Sequence, residues 1–272
     1  MRELIELLAG NNEEVALDVA ALELATIEFP GLDVSQWLIL LDSYAQELSE
    51  RVSPQDDPLT FIETANQFLF EELGFRGNEG DYYSPLNSCL NQVLVERTGL
   101  PITLSLVYME IGRRLERPIL GIGMPGHFLT AYDDDGQHIY VDPFHRGRIL
   151  EGEECLSLAS RITGLDLHDH WEALAPVSKR QMALRMLNNL RAAYLRRGTW
   201  EKALRVQELL VRACPLDAVE YRQRGYLYLQ LKRYREAAAD LLRYLALDPE
   251  ARDRADVERR LVGLRRWIAD LN

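Results

Sequence analysis

The chain opens as a series of helical stripes. Between positions 11 and 28, Leu17, Ala20, Ala21, Leu24 and Ile27 recur at three- and four-residue intervals, and Pro30-Gly31 stops the pattern. Trp37, Leu41, Tyr44, Leu48 and Val52 form a second stripe behind Asp33 or Ser35, either of which suits an N-cap. Asp57-Pro58 begins a third, with the aspartate as cap and the proline at the first helical position. It carries Phe61, Ala65, Phe68 and Leu73 as far as Gly74. Residues 77–81, GNEGD, make a turn-rich connector. A fourth helix is expected from Ser84-Pro85 to Arg97, closed by Gly99. A fifth starts at Pro101 and runs to about Glu116; its first half, ITLSLVYMEIG, is apolar nearly all round, the pattern of a buried helix.

At Pro118 the period changes. Two runs, His127 to Tyr132 and Gln137 to Pro143, flank an Asp-Asp-Asp-Gly turn, which predicts an antiparallel hairpin. With Tyr132 paired to Gln137, His127 faces Asp142 directly, their Cβ atoms roughly 4.5–5.5 Å apart. Residues 148–178 are expected to be irregular. Helical spacing then returns as a repeat: Tyr194 and Tyr228, Ala203 and Ala237, and Pro215 and Pro249 each stand 34 residues apart, the tetratricopeptide length. Leu187 matches Tyr221 and Trp200 matches Tyr234, while Gly225 holds a small position that Arg191 fills in the first copy. A final helix over 251–271, with Val257, Leu261, Leu264 and Trp267, reads as a cap on this short solenoid.

Composition narrows the function. The 272 residues are 47% hydrophobic and 27% charged, as in a folded globular protein, and long enough for one large or two ordinary domains. A net charge of −12 argues against non-specific binding to nucleic acid or an anionic membrane. The N-terminal MRELIELLAGNNEEV lacks a signal-peptide pattern, and no window approaches 18 uninterrupted apolar residues. Cys89, Cys155 and Cys214 are odd in number and far apart, which suits a reducing cytoplasm.

The candidate chemistry centres on the hairpin. A carboxylate beside an imidazole fixes its tautomer and stabilises its charged form, so His127 with Asp142 makes two-thirds of a catalytic triad. Other motifs carry less. Gly121 to Gly126 fits GxGxxG literally, but a β-run follows it and Pro125 interrupts it, so the dinucleotide reading is rejected. His168 and His170, with His145 as a third, are a weak metal pattern and read as a solvated loop; no metal or cofactor is expected. The run Asp133-Asp134-Asp135 lacks the calcium-loop spacing and reads as a turn.

NSCLNQVLVERTGLPITLSLVY (87–108), MPGHFLTAY (124–132) and VDPFHRG (141–147), with the helical flanks and the repeats, resemble the bacterial SirB-type proteins. The resemblance implies a transglutaminase-like, papain-like α+β core between a helical N-terminal region and C-terminal tetratricopeptide repeats. Active transglutaminases use Cys, His and Asp, and the resemblance assigns His127 and Asp142 to the last two. Their cysteine opens the buried helix, about seventeen residues before a proline that Pro118 matches; that place is Pro101, which has no nucleophile. Cys89 is the substitute candidate, near the start of the neighbouring helix, where a thiolate is favoured; its alternative is a small packing residue. Thr103 and Ser105 lie closer to the expected place, but neither occupies it. Asn87, Arg97 and Tyr108 are candidates to line the same cleft, against capping by Asn87 and surface pairing by Arg97.

The expected fold is therefore α+β: a helical subdomain over 1–80, a transglutaminase-like core over 81–170 and all-α tetratricopeptide repeats over 171–272. The expected function is a cytoplasmic protein-interaction or regulatory protein on a degenerate, non-catalytic core, binding a protein or peptide through the repeats. The alternative is a cysteine-dependent amide hydrolase or acyl-transferase using Cys89, His127 and Asp142.

Overall fold

A computed structural model describes residues 1–270 apart from Asn11 and Glu13, and not the side chains of 266–270. It divides into two compact units, Met1–Met186 and Leu187–Asn272.

The first unit begins with a helix that the stripes did not predict, α1 (Arg2–Ala9), which buries Leu4, Leu7 and Leu8. Its N-terminus is capped from outside: Glu23 accepts the Arg2 and Leu4 amides at 2.9 and 2.8 Å. Glu23 lies on α2 (Leu17–Ala25), which is followed by α3 (Val34–Ser49) and α4 (Pro58–Asn66). Asp33 caps α3 by accepting the Ser35 amide, and Asp57 caps α4 by accepting those of Leu59 and Thr60. Val52 lies beyond the end of α3. A π-helical turn, Gln67–Glu72, prolongs α4 towards Gly74.

The fourth expected helix is broken. A 3-10 turn, Pro85–Ser88, precedes α5 (Leu90–Glu96), and Cys89 sits between them with extended backbone angles. Arg97, in the left-handed conformation, ends α5. Gly99 does not close the helix; Thr98–Gly99 (β2) pairs in parallel with Arg76–Gly77 (β1). The helix starting at Pro101 forms as expected: α6 (Pro101–Arg114) is buried along most of its length.

The hairpin belongs to a four-stranded antiparallel sheet in the order β3 (Ile119–Ile122), β4 (Leu129–Asp134), β5 (Gln137–Asp142) and β6 (Arg148–Leu150). The register differs from expectation. Asp134 pairs with Gln137 and Tyr132 with Ile139, two residues away from a Tyr132–Gln137 pair. The turn residues decide this: Asp135 (φ 48) and Gly136 (φ 89) both take positive φ, as a two-residue type I′ hairpin requires. The region after 148 is not irregular, since β6 is followed by α7 (Gly152–Thr163). Its Cys155, Leu156 and Ala159 pack with Ile122, Met124, Leu129, Ala131 and Leu150 in one core cluster. Burying each large aliphatic side chain there contributes about 1.5–3 kcal/mol.

In the second unit, α8 (Lys179–Arg197), which starts in the first unit, leads into α9 (Trp200–Ala213), α10 (Ala218–Gln230), α11 (Tyr234–Leu247) and α12 (Arg254–Asp270). A Cβ on Gly225 would lie 3.0 Å from Leu241, so the small residue sets how closely α10 meets α11. In the first copy Arg191 is held by Gln207 and Glu220, each at 2.8 Å. Val257, Leu261 and Leu264 are buried along α12, while the side chain of Trp267 lies outside the described residues. Among the described residues no helix is long and apolar enough to cross a membrane.

Candidate functional site

The end of β5 and the turn after it gather three ionisable side chains. Asp142 is 1% exposed and His127 5% exposed, and His127 Nε2 stands 2.9 Å from Asp142 Oδ2. Their meeting does not require direct cross-strand pairing. A two-residue register offset leaves both side chains on one face of the sheet, because side chains alternate with period two. With Nε2 turned to the carboxylate, Nδ1 is the ring nitrogen left for any further partner. Arg185 donates to the carbonyls of Met124 and His127 at 3.1 and 2.7 Å and so holds the approach to β4.

His145 is the residue that sequence reasoning did not place here. Asp142 caps the 3-10 turn Pro143–His145, accepting the Phe144 and His145 amides on Oδ1, and His145 Nδ1 lies 2.7 Å from Oδ2. Burial alone would raise the Asp142 carboxyl, but the hydrogen bond and charge of His127, then those of His145, hold it below its ordinary value. The signal was local: Asp-Pro-x-His, with proline opening a turn in which positions three apart eclipse. His168 and His170 do not join His145; His170 Nδ1 pairs with Glu172 at 2.7 Å on the surface.

The nucleophile candidates lie in different settings. Pro101 occupies the first position of α6. Thr103 Oγ1 is committed to the helix start, accepting the Leu100 amide at 2.9 Å and donating to the Asn87 carbonyl at 2.8 Å. Ser105 is fully buried, and its Oγ has no partner among the described residues. Cys89 is 0% exposed, and its Sγ is 3.5 Å from the Pro85 carbonyl, one turn back.

The cleft candidates also separate. Asn87 donates to the carbonyls of Asp81 and Tyr82 at 2.8 and 3.0 Å and accepts from Asn78, which ties down the 78–82 loop. It borders a cavity of about 230 Å³ together with Asn78 and Thr98. Arg97 reaches the Leu73 carbonyl at 2.7 Å. Tyr108 is buried and stacks on Phe70 with ring centres 6.0 Å apart; burial pushes its hydroxyl well above the ordinary phenol value. A larger open cavity, about 590 Å³, is lined by Arg76, Asn78, Glu79, His145 and Arg146 among others.

A sequence profile of the Transglutaminase-like superfamily matches residues 35–188, and one of the tetratricopeptide repeat matches 190–262. A UPF0162 protein of Xylella fastidiosa is 35% identical over 93% of this chain and 92% of its own. The UPF0162 protein PA3419 of Pseudomonas aeruginosa is 29% identical over 92% of this chain and 91% of its own. Human F-box only protein 21 is 32% identical over 50% of this chain but only 22% of its own length.

Proposed function

Because the chain belongs to the transglutaminase-like superfamily, and with it to the bacterial UPF0162 proteins, we propose that it is a cytoplasmic interaction or regulatory protein. Its transglutaminase-like core binds rather than turns over, and its repeats capture a protein partner. One observation carries this reading: the helix position expected to hold the nucleophile is Pro101, and the nearby thiol, Cys89, is wholly buried. A thiol closed off from solvent, with its Sγ 3.5 Å from the Pro85 carbonyl, is placed as a packing residue.

The charge distribution supports an acidic partner. Residues 187–272 hold 18 Lys and Arg against 12 Asp and Glu, in a chain whose net charge is −12. Arg243 and Arg260, both exposed, lie over the rings of Tyr221 and Tyr226 at 5.8 and 5.7 Å. Arginine on an aromatic face is a surface that favours a carboxylate-bearing segment. Cys89, Cys155 and Cys214 form no disulfide with one another, which supports a reducing compartment.

The test is capture of partner proteins by the full chain, by Cys89→Ala and by Arg243→Glu/Arg260→Glu. The reading expects Cys89→Ala to retain the captured protein and the charge reversal to lose it. Capture indifferent to the charge reversal overturns it. The intact His127–Asp142 pair favours a second reading, a thiol enzyme using Cys89. That reading requires iodoacetamide to label Cys89 rapidly below the ordinary thiol pKa of about 8.5, and the rate to collapse in His127→Ala.

A further inference from the structure

The Asp142–His145 turn gathers more than the His127–Asp142 pair needs. Asp142 Oδ1 is held by two backbone amides of its own turn, at 3.1 and 3.3 Å, which aims Oδ2 outward. Two imidazoles converge on that oxygen, Nε2 of His127 from the strand side and Nδ1 of His145 from the turn, at 2.9 and 2.7 Å. The three donor atoms lie within 4.8 Å of one another, and among the described residues no other His, Cys, Asp or Glu trio is so placed.

We propose that His127, Asp142 and His145 form a binding site for a divalent transition-metal ion of the zinc class. Two imidazoles with one carboxylate suit such ions, whereas magnesium and calcium prefer all-oxygen sets. Zinc bonds of about 2.0–2.2 Å to nitrogen and oxygen set tetrahedral ligand atoms roughly 3.3 Å apart. The present separations therefore open by about half an ångström when the ion enters. The 47% exposed side chain of His145 supplies that movement on its own side, and the buried His127–Asp142 contact must widen by a slightly smaller amount. The outer supports are in place: amides on Oδ1 fix the carboxylate, and Arg185 fixes the His127 backbone. His145 also borders the 590 Å³ cavity, so the remaining coordination position lies on the open side, for water or an anion. Arg76 and Arg146 border the same space and make no ion pair among the described residues. This inference rests on reading His127–Asp142 as a binding pair, and not on the identity of the repeats' partner.

The experiment titrates chelator-stripped full-length protein with Zn²⁺ by calorimetry and with Co²⁺ by visible absorption. One equivalent of Zn²⁺ is expected, with intense ligand-field bands for four-coordinate Co²⁺. His127→Ala, Asp142→Asn and His145→Ala should each weaken Zn²⁺ binding at least tenfold, while His168→Ala/His170→Ala should leave it unchanged. Circular dichroism accompanies each variant; if the buried changes unfold the chain, His145→Ala, at the exposed ligand, decides alone. No Zn²⁺ uptake by the wild type, or full affinity in His145→Ala, overturns the site. Its failure leaves partner capture and Cys89 labelling as they were. Fast, His127-dependent labelling of metal-stripped Cys89 would instead remove the non-catalytic reading whatever the zinc result.

Discussion

Asp142 accepts a hydrogen bond from His127 at 2.9 Å although the strand ladder, which pairs Thr130 with Val141, offsets the two by two residues. The carboxylate therefore serves the sheet, the turn and both imidazoles at once. Replacing it with alanine leaves two backbone amides and a buried imidazole without their acceptor. Asp142→Ala should lose about 3–5 kcal/mol in urea unfolding, as when one member of a buried pair is removed. His145→Ala, at a half-exposed side chain, should cost less than about 1 kcal/mol.

Thiol accessibility should follow depth rather than sequence position. Cys89 and Cys155 are 0% exposed, and burial pushes the Cys155 thiol up to about 12. Cys214, at the end of α9, is partly exposed. Iodoacetamide at neutral pH should modify Cys214 first, and peptide mapping should find the other two only after denaturant is added. Early modification of Cys89 would contradict its burial.

Arg114 joins three elements. It reaches Asp18 on α2 at 2.7 Å, Asp42 on α3 at 2.7 Å and Glu110 on its own helix at 2.9 Å. Burial, and then the charge of Asp18, hold the Glu110 carboxyl above its usual value even with Arg113 and Arg114 beside it. Arg114→Ala should destabilise by about 2–4 kcal/mol, because buried Asp18 loses its nearest cation while Arg113 keeps hold of Glu110 at 2.8 Å. Part of that loss should be recovered on acidification, as Glu110 takes up a proton; thermal melts across pH would show it.

The cap on α1 should be acid-sensitive. Burial alone would raise Glu23, but the Leu4 amide, the chain's amino group and the Arg2 amide together hold it below its ordinary value. A depressed carboxylate stabilises the fold above the unfolded pKa of about 4.3, and that stability disappears as pH falls through the lower folded value. Glu23→Gln should be less stable than wild type at neutral pH and should show a shallower loss on acidification, measured by urea midpoints.

The hairpin turn isolates a backbone effect. Gly136 has φ +89, and a Cβ on it would have nothing within 4 Å, so a side chain there meets strain but no clash. Gly136→Val should cost about 1–2 kcal/mol in urea unfolding, and Gly136→Asn distinctly less, since asparagine tolerates positive φ.

Much of this architecture is written locally. The caps at Asp33 and Asp57, the proline that opens α6, the buried ITLSLVYMEIG face and the 34-residue repeat all depend on neighbours within a turn or on a period, so the sequence determines them. The pairing of His127 with Asp142 was legible too, because a register shift of two preserves the face on which they meet. Tertiary structure decided the rest. Helix α1 shows a short stripe, Leu4, Leu7 and Leu8, but at eight residues it is too short to stand alone, and its cap comes from Glu23, nineteen positions beyond Leu4. The outer strands of the sheet, β3 and β6, are four and three residues long, too short to show a period, and exist because β4 and β5 offer them edges. His145 came to the site through a 3-10 turn whose eclipsed geometry, rather than spacing along a strand or helix, set it against Asp142. Whether Cys89 faces solvent or core was likewise a matter of how its helix packs, and packing placed it inside.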